Sequence, residues 1–337
     1  LRKIDGKTAL PRTIAVGLGF PFLDALERGN LMLISFPFFI LATSSILFSA
    51  RLRWLFAALA INLKVYLIAA FVPLVLRRKW RWTESVVIAT VLVYLASFAI
   101  MGRGTLPEIV QNLSLWSAMQ ITQPQDVWAF STYNGLISLM QSDRYPMAAF
   151  IGSRNVELLV FLLPAIIRSV QALILCAAVA IWLRPETIET HRVFNLGLLL
   201  AMITSEAGIY TLAYFSFLVM MEPWRGPARK WMIIATYALA IPIDFSIQRF
   251  PPIMRDTFLN HSSTEVVYHL TLLPFIRPMV VLSIALALSL SIIATVWRDI
   301  RTQGWADRWR FRRDAPILPW IRRPQPLAPP GAEAAQS

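Results

Sequence analysis

The chain is poor in the residues that soluble enzymes rely on. Of 337 residues only 15% are charged, one is cysteine and three are histidine. The lone Cys176 lies inside an apolar run, so an intrachain disulfide and a cysteine-based metal site are both excluded. The histidines are scattered, with no spacing that resembles a metal-ligand motif. G-x-x-x-x-G-K-[ST] and G-x-G-x-x-G are both missing, as is any credible Ser/His/Asp set, which weighs against a nucleotide-driven pump. No stretch is polar enough to form a second, soluble domain.

What is present is apolar. Hydrophobic residues make up 57% of the chain and the mean hydropathy is +0.58, values of a polytopic helical membrane protein. The net charge of +13 sits in short clusters at the ends of apolar runs. Such clusters face anionic lipid headgroups and set topology, so membrane lipids, not nucleic acid, are the expected partner.

Arg51 to Arg81 poses the central problem. It is an apolar run with basic residues at both ends and Lys64 at its middle. A single crossing would place those two basic ends on opposite sides of the membrane, against the rule that short cytoplasmic loops hold the Lys/Arg excess. Two half-helices meeting at 62–66 return the chain to the side it left, with Lys64 at the apex. Val193 to Met221 repeats the pattern: Thr204, Ser205, Glu206 and Gly208 interrupt its middle, and Arg192 and Arg225 flank it. A second hairpin with Glu206 at its apex follows.

The remaining expectations build on these hairpins. Leu1 to Arg12 is polar and cytoplasmic, and Thr13 to Phe22 covers only about half of a ~30 Å core. Leu31 to Phe48, Thr83 to Met101, Glu157 to Leu183, Trp231 to Ile247 and Pro278 to Trp297 are spans. Residues 102–156 form an outer loop with short interfacial helices, and 249–265 form a second loop. Val266 to Phe275 lies in the interface. A membrane domain over 1–313 is followed by a Pro/Ala-rich, disordered cytoplasmic tail over 314–337. The fold class expected is all-α.

Ionisable residues at membrane depth cost about 2.5 to 3.5 kcal/mol on insertion scales and face a cavity or a partner. Lys64, Arg168, Glu206 and Asp244 qualify. Lys64 suits an anionic group such as a carrier phosphate. Glu206 or Asp244 can accept hydrogen bonds from sugar hydroxyls or act as a base. The blander alternatives are a Lys64–Glu206 pair that closes the bundle and an Arg168 that pairs within it. Arg28, Arg249, Arg255 and Arg277 mark the outer interface, where snorkelling accounts for them.

The run PFLDALERGNLMLISFPFFILA resembles the signature of family 87 glycosyltransferases, multispanning enzymes of the GT-C superfamily. ALAINLKVYLIAAFVPLVLRRKWRW continues the likeness, and ITSEAGIYTLAYF and STYNGLISLMQ extend it more faintly, over about three-fifths of the chain. The resemblance implies a GT-C-like bundle in a bacterial plasma membrane. It implies transfer of a hexosyl, foremost mannosyl, residue from a polyprenyl-phosphate donor to a lipid-linked or glycan acceptor on the non-cytoplasmic face, without a cofactor. It places Gly29, Asn30 and Lys64 at the donor-side cavity, and Arg28 and Glu206 join them as candidate substrate-binding residues. The family's catalytic acid lies in an earlier outer loop, so the base is expected upstream of Leu1, with Glu206 and Asp244 as weak stand-ins. A transporter or flippase of a lipid-linked sugar is the alternative.

Overall fold

The computed structural model describes residues 6–44, 46–101, 151–204, 209–242, 245–249, 251–256, 263–267, 269–271 and 273–304, with isolated positions between 105 and 148. The architecture is a helical bundle whose helices α1 to α11 run between two ends. The basic clusters gather at one of them.

α1 (Ala9–Gly17) and α2 (Phe20–Glu27) lead from the basic end to the other. Gly19 joins them where a Cβ would collide with the Ala15 carbonyl and approach Ala240 Cβ at 2.9 Å. α2 stops in a Schellman motif. Gly29 takes φ +56°, its N–H donates to the Leu26 carbonyl (3.2 Å), and Asn30 N–H donates to that of Ala25 (2.9 Å). The Asn30 side chain then opens α3 (Met32–Thr43), its Oδ1 accepting from Met32 N–H at 3.0 Å. α4 (Ala50–Leu63) starts from Ser49, whose hydroxyl accepts from Leu52 N–H.

α4 ends at Lys64, whose extended φ of −141° breaks the helix. Val65–Leu67, α5 (Ile68–Phe71) and Val72–Arg77 then descend as short 3₁₀ and α turns, not as one half-helix. Arg77 reaches the Pro185 carbonyl (3.1 Å) and the Thr190 hydroxyl, and left-handed Arg78 turns the chain into α6 (Trp80–Met101). α6 climbs beside α4: Asn62 Nδ2 donates to the Thr90 carbonyl at 3.1 Å. α7 (Ser153–Leu183) descends, and α8 (Thr190–Thr204) climbs back. Past the break, Ile209–Thr211 and α9 (Leu212–Met220) descend packed on α8. α8 lies so close to the Lys64 hairpin that a Cβ on Gly197 would collide with the Ala69 carbonyl and come within 2.5 Å of Pro73 Cγ.

Among the described residues, four segments are long and apolar enough to cross a membrane: Ala9–Glu27, Trp80–Ile100, Ser153–Leu183 and Phe275–Gln303. α6 and α7 show apolar side chains to the outside, including Val91, Leu92, Leu95, Phe161, Leu175 and Val179, a surface suited to lipid. The interior holds an aromatic cluster in which Phe36, Phe39 and Tyr214 meet edge to face at 5.2 to 5.6 Å.

Several expectations need correction. The span expected to begin at Leu31 is only the 12-residue α3, about 18 Å long. α10 (Pro227–Ala240) stops well short of Ile247, at Ile241-Pro242, where proline cannot continue the hydrogen-bond ladder. After it come strands β1 (Ser246–Arg249), β2 (Ile253–Asp256), β3 (Ser263–Val266) and β4 (His269–Thr271). β1 pairs antiparallel with β4 (Arg249 opposite His269), and β2 with β3 (Asp256 opposite Ser263). A two-tier ribbon therefore replaces the loop and interfacial segment expected there, and the fold is mostly helical, not all-α. α11 (Leu273–Gln303) returns to the basic end, so its first residues belong to a long helix. Arg12 is not a solvated cytoplasmic residue: it is buried in α1.

Candidate functional site

Polar side chains gather at both ends of the bundle. At the end away from the basic clusters, the two helix breaks meet. The Lys64 ammonium is half-buried and sits over the Tyr210 ring, 4.8 Å from its centroid. Beside it the Thr211 hydroxyl donates to Tyr66 Oη at 3.3 Å. The 209–211 turn lies between Lys64 and α2, against which it packs. At the C-terminal end of α2, Arg28 Nε lies 3.0 Å from Asp24 Oδ1. Arg277 is only 3% exposed, with its guanidinium 4.1 Å from the Phe20 ring. It is therefore a packed residue, not a snorkelling one.

The structure thus sets Lys64 over Tyr210, in the turn that packs on α2. Gly29 and Asn30 sit at the same end, doing backbone work as helix stop and helix cap. Arg168 does not join them. It is exposed on α7, and among the described residues no carboxylate pairs with it. Glu206 and Asp244 lie outside the described residues, and with them the Lys64–Glu206 pair. Arg249 is exposed on β1.

The basic end holds a second polar group. Glu222, 1% exposed, receives Arg192 Nε at 2.8 Å and pairs with Arg229 Nε at 3.2 Å and His191 Nε2 at 3.5 Å. Arg12 Nη1 donates to the carbonyls of Met220 (2.8 Å) and Glu222 (2.6 Å), and Arg192 Nη2 to Ser291 Oγ at 2.8 Å. Burial pushes the Glu222 carboxyl pKa up. The hydrogen bond from His191 and the charges of Arg192, His191 and Arg229 outweigh that and hold it below the ordinary carboxylate value. Glu189, His191 and Glu222 bring ligand atoms within 4.8 Å of one another. Two guanidiniums on the Glu222 carboxylate oppose a cation there, so the trio reads as an ion-pair network.

Next to His191 is a half-open cavity of about 270 Å³, lined by Thr43, Ser44, Arg53, Lys79, Trp82 and Thr190 among others. Neither this cavity nor Glu222 stood out in the sequence. A usable signal was there: Glu222 is the one acid between Glu206 and Asp244, and it directly precedes a cluster of three cations, Arg225, Arg229 and Lys230. Comparison of the chain with protein-family models, with curated proteins and with solved structures finds no match.

Proposed function

We propose that the chain is a multispanning membrane glycosyltransferase that moves a hexosyl residue, foremost mannosyl, from a polyprenyl-phosphate donor to a lipid-linked or glycan acceptor. The end carrying Lys64 faces the non-cytoplasmic side, and the basic end faces the cytoplasm. One observation carries the reading: Lys64 stands half-buried where two broken helices meet, with an aromatic ring under its ammonium. Backbone broken at membrane depth is tolerated where protein covers it or a water-filled cavity opens beside it, and a buried cation there calls for an anion. A carrier phosphate supplies that charge.

In this reading a carboxylate takes the proton of the acceptor hydroxyl, whose oxygen attacks the anomeric carbon. The bond from that carbon to the donor phosphate breaks, and the phosphate leaves with the electron pair. Lys64 stabilises the charge that develops on the departing oxygen. Arg28 and Arg277 add positive potential at the same end.

The two broken hairpins packed side by side also favour a second reading, a flippase for a lipid-linked sugar, since transporters bind substrate at such half-helix ends. One experiment separates the two. Membranes holding the full-length protein receive donor carrying radiolabelled sugar, and both transfer to acceptor and movement of intact donor across the bilayer are followed. Label in the acceptor, lost in Lys64→Ala, supports the transferase. Movement of intact donor without transfer supports the flippase, and equal transfer by Lys64→Ala removes Lys64 from the mechanism.

A further inference from the structure

The cavity at the basic end belongs to neither reading of Lys64, which lies at the opposite end of the bundle. Its wall joins elements far apart in the chain. Thr43 comes from the end of α3, Arg53 from the first turn of α4, Lys79 and Trp82 from the entry to α6, and Thr190 and His191 from the start of α8. Three side chains that are or can become cationic therefore meet around one space, with hydroxyl donors between them and an indole on one side. Arg53 makes the point sharply: its Nε is buried and, among the described residues, has no hydrogen-bond partner. A buried guanidinium N–H left unpaired is costly, and an anionic acceptor in the cavity relieves that cost.

Charges around the cavity select the same ligand. The carboxylates facing His191 are Glu222 and Glu189, both 3.5 Å away, and Glu222 is already met by Arg192 and Arg229. Arg77 donates to the Thr190 hydroxyl, which leaves that hydroxyl's own proton free to donate elsewhere. The volume of about 270 Å³ falls just below the ~300 to 1,000 Å³ of pockets for drug-sized ligands, so a small head fits better than a nucleotide.

We propose that this cavity is a binding site for a phosphate monoester, held by Arg53, Lys79 and His191 with the Ser44 and Thr190 hydroxyls. The same chemistry is offered by a soluble phosphate and by a phosphatidic acid headgroup entering from the adjoining leaflet.

Two arms of one experiment test it. The full-length protein is placed in phosphatidylcholine nanodiscs, and its thermal unfolding is followed while inorganic phosphate replaces chloride at constant ionic strength. In the second arm, phosphatidic acid replaces part of the phosphatidylcholine. Saturable stabilisation in the first arm identifies a soluble phosphate as the ligand, and in the second arm alone the lipid headgroup. Arg53→Gln and Lys79→Gln each raise the half-saturating concentration about tenfold or more. Arg51→Gln, at the same end but exposed and outside the cavity, leaves it unchanged. If Arg53→Gln does not fold, Lys79→Gln and Ser44→Ala carry the test. The proposal is overturned if neither arm saturates, or if Arg51→Gln weakens binding as much as the cavity variants do.

Discussion

Arg192 and Glu222 stand at the two feet of one hairpin, thirty residues apart, and their side chains meet at 2.8 Å with each 1% exposed. α8 leaves from the neighbourhood of Arg192 and ends at Thr204, and α9 comes back to Glu222. The pair closes the hairpin at its base, and Arg12 ties α1 onto the same turn through two carbonyls. Arg229, at the start of α10, completes the cluster. Two helix starts and one helix end thus meet at the Glu222 carboxylate, and α1 is tied to the carbonyls beside it.

Removing that carboxylate leaves Arg192 buried without its counter-charge. Glu222→Ala is expected to destabilise the protein by about 3 to 5 kcal/mol, the range for breaking a buried pair. Replacing both partners, as in Arg192→Met with Glu222→Leu, is expected to recover much of that loss. Thermal unfolding in detergent measures both. A double variant no more stable than Glu222→Ala would show that the pair does not act as a unit.

The same group sets a pH dependence. Its folded pKa lies below the unfolded value near 4.5, so its contribution is fully present above that value. It is lost as pH falls through the folded pKa, when the carboxylate takes up a proton. Unfolding midpoints measured down an acid series should therefore drop more steeply in the parent than in the Arg192→Met, Glu222→Leu variant.

Gly197→Ala tests the contact between the two hairpins. The added methyl meets the Ala69 carbonyl and Pro73, both backbone-fixed, so neither can move aside cheaply. The expected cost is about 1 to 3 kcal/mol, that of overpacking. Gly17→Ala, where a Cβ meets open space, should lie within about 0.5 kcal/mol of the parent.

Gly29 and Asn30 separate backbone work from substrate work. Asn30→Ala removes a helix cap and is expected to cost about 1 kcal/mol, while Asn30→Asp retains the acceptor and the stability. Gly29→Ala forces a Cβ into the left-handed region at roughly 1 to 2 kcal/mol. If Asn30→Asp is stable yet loses sugar transfer, Asn30 also touches the donor.

For Lys64 the expectation is reversed. Under the proposed transferase reading, Lys64→Ala should leave stability nearly unchanged and lower sugar transfer on the order of a hundredfold, as when a donor to a developing anion is lost. A fall in stability matching the fall in activity would make the lysine structural.

The sequence by itself determined the long apolar helices at 80–101, 153–183 and 273–303. It also marked the two interruptions near Lys64 and after Thr204. These depend on local physics: an apolar run long enough to span hydrocarbon, and residues within a few positions that break it. Tertiary structure alone decided which break faces which. It set Tyr210 under Lys64, Arg12 against a carbonyl 210 residues away, and Arg53, Lys79 and His191 around one cavity. It also decided that 246–271 pairs as a ribbon, since strands that short take their stability from cross-strand partners and not from their own composition. Contacts between distant segments leave no trace in the spacing of neighbouring residues. That is why Glu222, a single acid in a basic stretch, showed its role only once the hairpin had folded back on Arg192.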